Sequence, residues 1–130
     1  MADGRSVLLD AAHNPAGAET LAAHLREAYP GGVPLVFGAV RDKDHAGMLR
    51  ALLPCASHLV LTSAPTPRAA APEDLRVIAA VLRAELPITC VADPVEALAH
   101  AWAQGPRIVV AGSIFLLGAV RPALMTSGPA

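Results

Sequence analysis

The 130-residue sequence lacks the features that mark several classes of protein. Lys and Arg are not in excess, and the formal net charge of -1 leaves no basic surface for nucleic acid or an anionic membrane. No apolar run approaches the roughly 18 residues that span a bilayer, and the N-terminus has no apolar signal-peptide core. We therefore expect a cytoplasmic protein that binds neither nucleic acid nor membrane.

Motifs for metals and dinucleotides are also missing. Cys55 and Cys90 lie far apart in apolar surroundings and form no CxxC pair, so we expect two reduced thiols in the core. The pattern GxGxxG does not occur, which leaves NAD unsupported. Asp10 and His13 have no third ligand at metal-binding spacing, so no metal site is predicted.

What the sequence does contain is an alternation of short apolar runs with helical patterns. Hydrophobic residues make up 54% of the chain and charged residues 16%, which is enough apolar material for the core of one domain. The runs predict strands at residues 6–11, 33–38, 57–62, 88–91 and 107–111. This order predicts an α/β fold: a Rossmann-like, mostly parallel sheet of about five or six strands with helices on both faces.

Helices are predicted between and after these strands. Their ranges are 14–29, 44–53 and 72–86, with two more beginning at Pro94 and after Gly112-Ser113. Cap signals support three of the starts, and the predicted N-caps are Asn14, Asp44 and Asp93. Three finer expectations concern the last two helices and the tail. Val95, Leu98, Ala99 and Trp102 should form the apolar face of the fourth helix, Gly118 should mark close packing, and the chain should fray from about Thr126.

Polar side chains are concentrated where the predicted strands end. In open parallel sheets, ligands bind outside the carboxyl ends of the strands. The first strand is followed by a polar cluster, the second by a charged loop, the third by a proline-rich loop and the fifth by a glycine-serine pair. The residues concerned are Asp10, His13, Asn14, Lys43, Arg68 and Ser113.

Local physical chemistry leaves two interpretations open for each of these residues. Asp10 could accept hydrogen bonds from a ribose diol and His13 could meet a phosphate, or both are polar residues in a loop before the Asn14 cap. Lys43 could contact an anionic ligand, or its loop is solvated and its charges pair with each other, as Arg41 with Asp42. Arg68 could reach a phosphate, or it is a solvated arginine. Ser113 could open an anion site at a helix start or serve only as an N-cap.

Three motifs in order add a resemblance to a known family. Residues 10–15 are similar to the pattern D-G-A-H-N-P, with Ala11 in place of the glycine. Residues 36–44 match hydrophobic-F-G-x-x-x-D-K-D, and residues 112–118 match G-S-hydrophobic-aromatic-hydrophobic-x-G; the run Pro67-Arg68-Ala69 is also similar. Over nearly its whole length the chain resembles the C-terminal domain of folylpolyglutamate synthase/dihydrofolate synthase, within the Mur ligase family.

The resemblance implies an ATP-dependent carboxylate–amine ligase. In that reaction ATP phosphorylates the carboxyl group of folate or dihydropteroate, and the amino group of L-glutamate attacks the acyl phosphate. The resemblance assigns ATP binding to Asp10, His13 and Asn14, and glutamate binding to Lys43, Ser113 and Arg68. It assigns no certain catalytic residue and no metal ligand to this domain, since ATP and Mg²⁺ would be held mainly by a P-loop ATPase domain.

One departure from the family pattern bears on activity. The chain contains no GK[ST] sequence, so it lacks the phosphate cradle of that ATPase domain. We expect residues 1–130 to be an isolated glutamate ligase domain, excised, truncated or separately encoded, that is inactive alone and needs the ATPase domain as its partner. The alternatives are a stand-alone nucleotide- or amino-acid-binding Rossmann-like module, a Mur ligase relative with another amino acid substrate, and an α/β scaffold that docks a partner subunit.

Overall fold

A computed structural model, which describes residues 4–126, contains one sheet of five parallel strands. The strands are β1 (Ser6–Asp10), β2 (Val33–Phe37), β3 (Ala56–Leu61), β4 (Ile88–Cys90) and β5 (Arg107–Ala111). Their order across the sheet is β1-β5-β2-β3-β4. The predicted α/β fold with a parallel sheet is therefore confirmed, and β5 lies between the first two strands of the chain.

Five helices connect and follow the strands: α1 (Pro15–Ala28), α2 (His45–Leu52), α3 (Pro72–Leu82), α4 (Pro94–Trp102) and α5 (Ile114–Thr126). The patterns missed the short 3₁₀ helix Leu53–Cys55 that follows α2. They also extended α3 too far, to residue 86. The helix ends where Arg83 takes an extended backbone with a φ of -153° and its Nη1 donates to the carbonyl oxygens of Leu53 and Ala56, tertiary contacts that apolar spacing does not reveal. The tail expected to fray lies beyond residue 126, outside the described residues.

The handedness of parallel crossovers explains which helix lies on which face. The chain passes from β1 to β2, β3 and β4 in one direction, so right-handed connections place α1, α2 and α3 together on one face. The step from β4 back to β5 runs in the opposite direction and places α4 on the other face, where it packs beside α5. Helices cover both faces, as predicted. Within residues 4–126 no helix is long and apolar enough to cross a membrane.

Each face of the sheet has its own apolar core. Leu35 and Phe37 of β2 belong to the core beneath α1–α3, whereas Val36 belongs to the core beneath α4 and α5. All five residues of β2 are buried, because this central strand is covered on both sides. The cysteines are free: Cys55 is buried, Cys90 is half-buried, and burial raises the pKa of the Cys55 thiol.

The predicted apolar face of α4 was right for Leu98 and Trp102, which pack in the core, and wrong for Val95 and Ala99. Val95 is 46% exposed and Ala99 is exposed, whereas the buried residues of the helix are Ala97, Leu98 and Ala101. The buried face of α4 packs against β2 and β3, where Ala97 and Ala101 share a core with Val36 and Val60.

Gly112 lets the chain turn sharply from β5 toward α5. Its φ of 123° lies in a region that residues with a Cβ rarely adopt, and a Cβ there would collide with the carbonyl oxygen of Gly38. Gly38 follows β2, and its own Cβ would lie 2.9 Å from the carbonyl oxygen of Thr62 after β3. Gly118 does not mark close packing, because no atom of the described residues lies within 4 Å of its added Cβ.

Substituting alanine at Gly112 and at Gly118 should have opposite effects on stability. We expect Gly112→Ala to lower the free energy of unfolding by about 3 kcal/mol or more, from backbone strain and the steric clash together. Gly118→Ala should raise it by about 0.5–1 kcal/mol, since the helical backbone there has open space. Urea unfolding followed by circular dichroism measures both, and a Gly112→Ala variant as stable as the parent would contradict the described contact.

Candidate functional site

The carboxyl edge of the sheet opens into a crevice around β5. The loops after β1 and β2 lead to α1 and α2 on one face, whereas the loop after β5 leads to α5 on the other. Neighbouring connections that leave toward opposite faces create the usual ligand crevice of such sheets. A cavity of about 410 Å³ lies here, lined by Ala11, His13, Val40, Lys43, Arg68, Gly112, Ser113, Ile114 and Phe115.

Four of the six predicted site residues line this one cavity. His13, Lys43, Arg68 and Ser113 come from four different loops and meet at the cavity wall. Asp10 and Asn14 do not line it. The sequence motifs therefore converge in space, and the two exceptions stand at the two ends of the loop that carries His13.

Asp10 and Asn14 hold that loop in shape. The Asp10 carboxylate accepts a hydrogen bond from the backbone N–H of Ala12 at 2.8 Å, and the Asn14 side-chain oxygen accepts one from Gly17 N at 2.8 Å. The second bond confirms Asn14 as the N-cap of α1. His13 Nδ1 lies 3.1 Å from the carbonyl oxygen of Ala11, so Nδ1 donates and Nε2 is left for a ligand.

Backbone hydrogen bonds join the loop after β2 to the proline-rich loop after β3. Arg41 N donates to Arg68 O at 2.7 Å, and Ala70 N donates to Ala39 O at 2.8 Å. An isolated antiparallel bridge pairs Val40 with Ala69 between them. These contacts bring Lys43 and Arg68 to the same cavity, an approach between two loops that sequence spacing does not reveal.

The start of α2 holds the loop that carries Lys43. The Asp44 carboxylate accepts a hydrogen bond from Gly47 N at 2.9 Å, which confirms the predicted cap. His45 Nε2 donates to the carbonyl oxygen of Val40 at 2.6 Å and so links the helix back to the loop. Lys43 itself is exposed and makes no ion pair within residues 4–126.

Arg68 is paired with Asp42 at the cavity. Arg68 Nη2 lies 2.7 Å from Asp42 Oδ2, with side chains 58% and 64% exposed. A hydrogen bond from the backbone, and then the Arg68 guanidinium, hold the pKa of Asp42 below its ordinary value of 3.8, against an opposing effect of desolvation. If the charges of this loop paired with each other, Asp42 would bind Arg41. Its partner is instead Arg68, from the loop after β3.

Ser113 begins α5 and faces the cavity at the same time. Its hydroxyl accepts a hydrogen bond from Phe115 N at 3.1 Å, and its carbonyl accepts one from Leu117 N at 3.1 Å. The N-cap interpretation is therefore confirmed, and the helix start lies at the cavity. Ile114 and Phe115, which sequence reasoning did not assign to the site, are 69% and 48% exposed beside it. Two large apolar residues in the first turn of a helix were the available signal.

The cavity concentrates positive charge in a chain whose net charge is slightly negative. Among residues 4–126 the titratable side chains lining it are His13, Lys43 and Arg68, and none of the acidic side chains in that range lines it. Across residues 4–126 no group of three His, Cys, Asp or Glu side chains could hold a metal ion. The arrangement suits an anionic organic ligand, with two cations and a helix N-terminus to receive it.

Comparison with known proteins decides the family. Residues 1–114 match the family model described as the Mur ligase glutamate ligase domain. The chain belongs to this family. A protein of Halobacterium salinarum named a probable bifunctional folylpolyglutamate synthase/dihydropteroate synthase is 38% identical over 120 residues, which are 88% of this chain and 14% of that protein.

Solved structures agree with the family assignment for this glutamate ligase domain. Folylpolyglutamate synthase of Mycobacterium tuberculosis, complexed with ADP, superposes with a TM-score of 0.82 at 30% identity, over 95% of this chain and 30% of that one. Folylpolyglutamate synthase of Thermotoga maritima gives a TM-score of 0.82 at 32% identity, over 98% and 29%. The chain thus spans less than a third of the length of these relatives.

The hydrogen bond made by Asn14 predicts a stability effect that is separate from ligand binding. Asn14→Ala should lower the free energy of unfolding by about 1 kcal/mol because Gly17 N loses its acceptor. Asn14→Asp keeps a capping oxygen and should stay within a few tenths of a kcal/mol of the parent. Chemical unfolding of the three proteins measures this, and equal stability of Asn14→Ala and parent would refute the cap.

Proposed function

We propose that this domain supplies the amino-acid-binding and nucleotide-binding wall of an ATP-dependent ligase that adds L-glutamate to folate or dihydropteroate. The proposal is carried by the cavity at the start of α5. Among the described residues, the titratable side chains that line it are all basic: His13, Lys43 and Arg68. The family match and the folylpolyglutamate synthase relatives support the choice of amino acid and acceptor. The cytoplasmic location stays a prediction.

Glutamate fits the charge pattern of the cavity. It carries two carboxylates, and Lys43 and Arg68 offer one compensating cation each. The start of α5 adds the Ser113 hydroxyl and a helix N-terminus, which favour negative charge. In this arrangement the carboxylates are held by cations, and the amino group of glutamate is left to reach the acceptor carbonyl.

The loop after β1 is proposed to meet the nucleotide. Asp10 uses Oδ1 for the bond from Ala12 N, and Oδ2 makes no hydrogen bond within residues 4–126, so it is available to a ribose hydroxyl. His13 Nε2 is available to a phosphate oxygen. Asn14 uses its side-chain oxygen in the helix cap, and its side-chain N–H₂ is the part that could donate to the nucleotide. The relative from Mycobacterium tuberculosis was solved with ADP.

The proposed reaction proceeds in two steps. The γ-phosphoryl group of ATP passes to the acceptor carboxylate and gives an acyl phosphate and ADP. The neutral amine of glutamate then attacks the acyl carbon and an amide bond forms. Inorganic phosphate leaves with the electrons of the cleaved C–O bond, and the proton lost by the nitrogen ends on the phosphate. The chain has no GK[ST] cradle and no metal-ligand cluster in residues 4–126, so the triphosphate and Mg²⁺ are assigned to a P-loop ATPase domain. This chain should be inactive alone.

Reconstitution tests the proposal. This chain is mixed with the separately produced ATPase portion of the Thermotoga maritima relative, together with ATP, Mg²⁺, radiolabelled glutamate and either tetrahydrofolate or dihydropteroate. We expect glutamate addition by the mixture and none by this chain alone. Lys43→Ala should lower the mixture's rate at least tenfold because one glutamate carboxylate loses its cation, a charge-assisted contact of about 1.5–3 kcal/mol.

Arg50→Ala serves as the matched control, since it removes one exposed cation on α2 outside this cavity. Its rate should equal that of the parent mixture. Turnover by this chain alone would refute the assignment of the phosphate cradle to another domain. A Lys43→Ala mixture as active as the parent would refute the glutamate site.

A further inference from the structure

The ion pair at the cavity has an unusual arrangement of partners. Arg68 lines the cavity and Asp42 does not, yet Arg68 Nη2 donates to Asp42 Oδ2 at 2.7 Å. Lys43, the next residue after Asp42 and the only lysine of the chain, lines the cavity and makes no ion pair within residues 4–126. One of the two cations is thus available to a ligand, and the other is already bound to a carboxylate.

The pair is easily broken, although its partners are held close together. Both side chains are more than half exposed, at 58% and 64%, so water competes for each of them. The backbones that carry them are joined by the Arg41 N to Arg68 O hydrogen bond and by the Val40–Ala69 bridge. The loops therefore do not need the ion pair to stay together, and the Arg68 guanidinium can change partner without moving its backbone.

We propose that Asp42 is a specificity-determining residue that occupies Arg68 in the empty site and is displaced by the second carboxylate of the incoming amino acid. The inference rests on the proposed glutamate site. A ligand with one carboxylate binds Lys43 and leaves the Asp42–Arg68 pair intact. A dicarboxylate replaces Asp42 with its own side-chain carboxylate, so the charge of Arg68 stays neutralised. A ligand whose side chain is neutral but of the same size cannot neutralise Arg68 in this way.

Removing the Asp42 charge should strengthen dicarboxylate binding. An exposed ion pair contributes about 0.2–1 kcal/mol, so Asp42→Asn should lower the dissociation constant of L-glutamate by about 1.5- to 5-fold. L-glutamine, which has the same size and one carboxylate, should bind with nearly unchanged affinity. NMR titration of the ¹⁵N-labelled chain, with the amide signals of the cavity loops as reporters, measures both constants.

A double-mutant cycle separates displacement from a general charge effect. Any loss of negative charge near the site favours an anion through space, whether or not Arg68 takes part. Displacement requires the guanidinium, so the gain from Asp42→Asn should disappear in the Arg68→Met background. Glu85→Gln is the matched control elsewhere: it breaks an ion pair of 2.8 Å to Arg83, with Glu85 73% exposed, and should leave glutamate affinity unchanged.

Each outcome of the titrations decides the inference. Weaker or equal glutamate binding by Asp42→Asn overturns it, because Asp42 then positions Arg68 or does nothing. The same gain in the Arg68→Met background also overturns it. If Lys43→Ala abolishes glutamate binding while Asp42→Asn gains nothing, the proposed site stands and this inference alone fails. Two outcomes overturn the proposed site as well. One is an unchanged glutamate affinity in Lys43→Ala, and the other is no detectable glutamate binding by the parent or any variant, Asp42→Asn included.

Discussion

The close contact between the ends of β5 and β2 is the constraint on which the site depends. Gly38 N donates to the carbonyl oxygen of Ala111 at 3.3 Å, and Gly112 follows with a positive φ against the Gly38 carbonyl. This contact is possible because β5 lies between β1 and β2 and both turning residues lack a Cβ. It sends the chain into α5 on the opposite face from α1 and α2, and so opens the crevice that receives Lys43, Arg68, His13 and Ser113.

Strands, their parallel pairing and the helix starts follow from local chemistry. Residues 108–111 form an unbroken apolar run because both faces of β5 are covered. Helices begin at Asn14, Asp44 and Asp93 because each offers a side-chain oxygen to the backbone N–H three residues on. The residue at which α3 ends and the rotation of α4 about its axis depend on tertiary contacts. Apolar periodicity alone could not set either, which is why Val95 was placed on the wrong face.

The site was predictable as a set of positions but not as a set of partners. Ligand binding at the carboxyl ends of parallel strands places His13, Lys43, Arg68 and Ser113 at one edge, and the structure brings these four to one cavity. The pairing of Asp42 with Arg68 depends on a hydrogen-bonded contact between two loops that are 26 residues apart in sequence. Spacing along the chain carries no information on such a contact, and local reasoning instead favours the neighbouring Arg41.

Glutamate binding at the cation-lined cavity beside β5 can be followed on a single side chain. Because Lys43 is the only lysine, a chain labelled with [¹³C,¹⁵N]lysine gives a single lysine side-chain spin system in NMR spectra. Titration with L-glutamate should shift its Cε and Hε signals along a saturable curve with the same midpoint as the amide signals of Gly112 and Ser113. A lysine signal that stays fixed while glutamate shifts amides elsewhere in the chain would contradict the account.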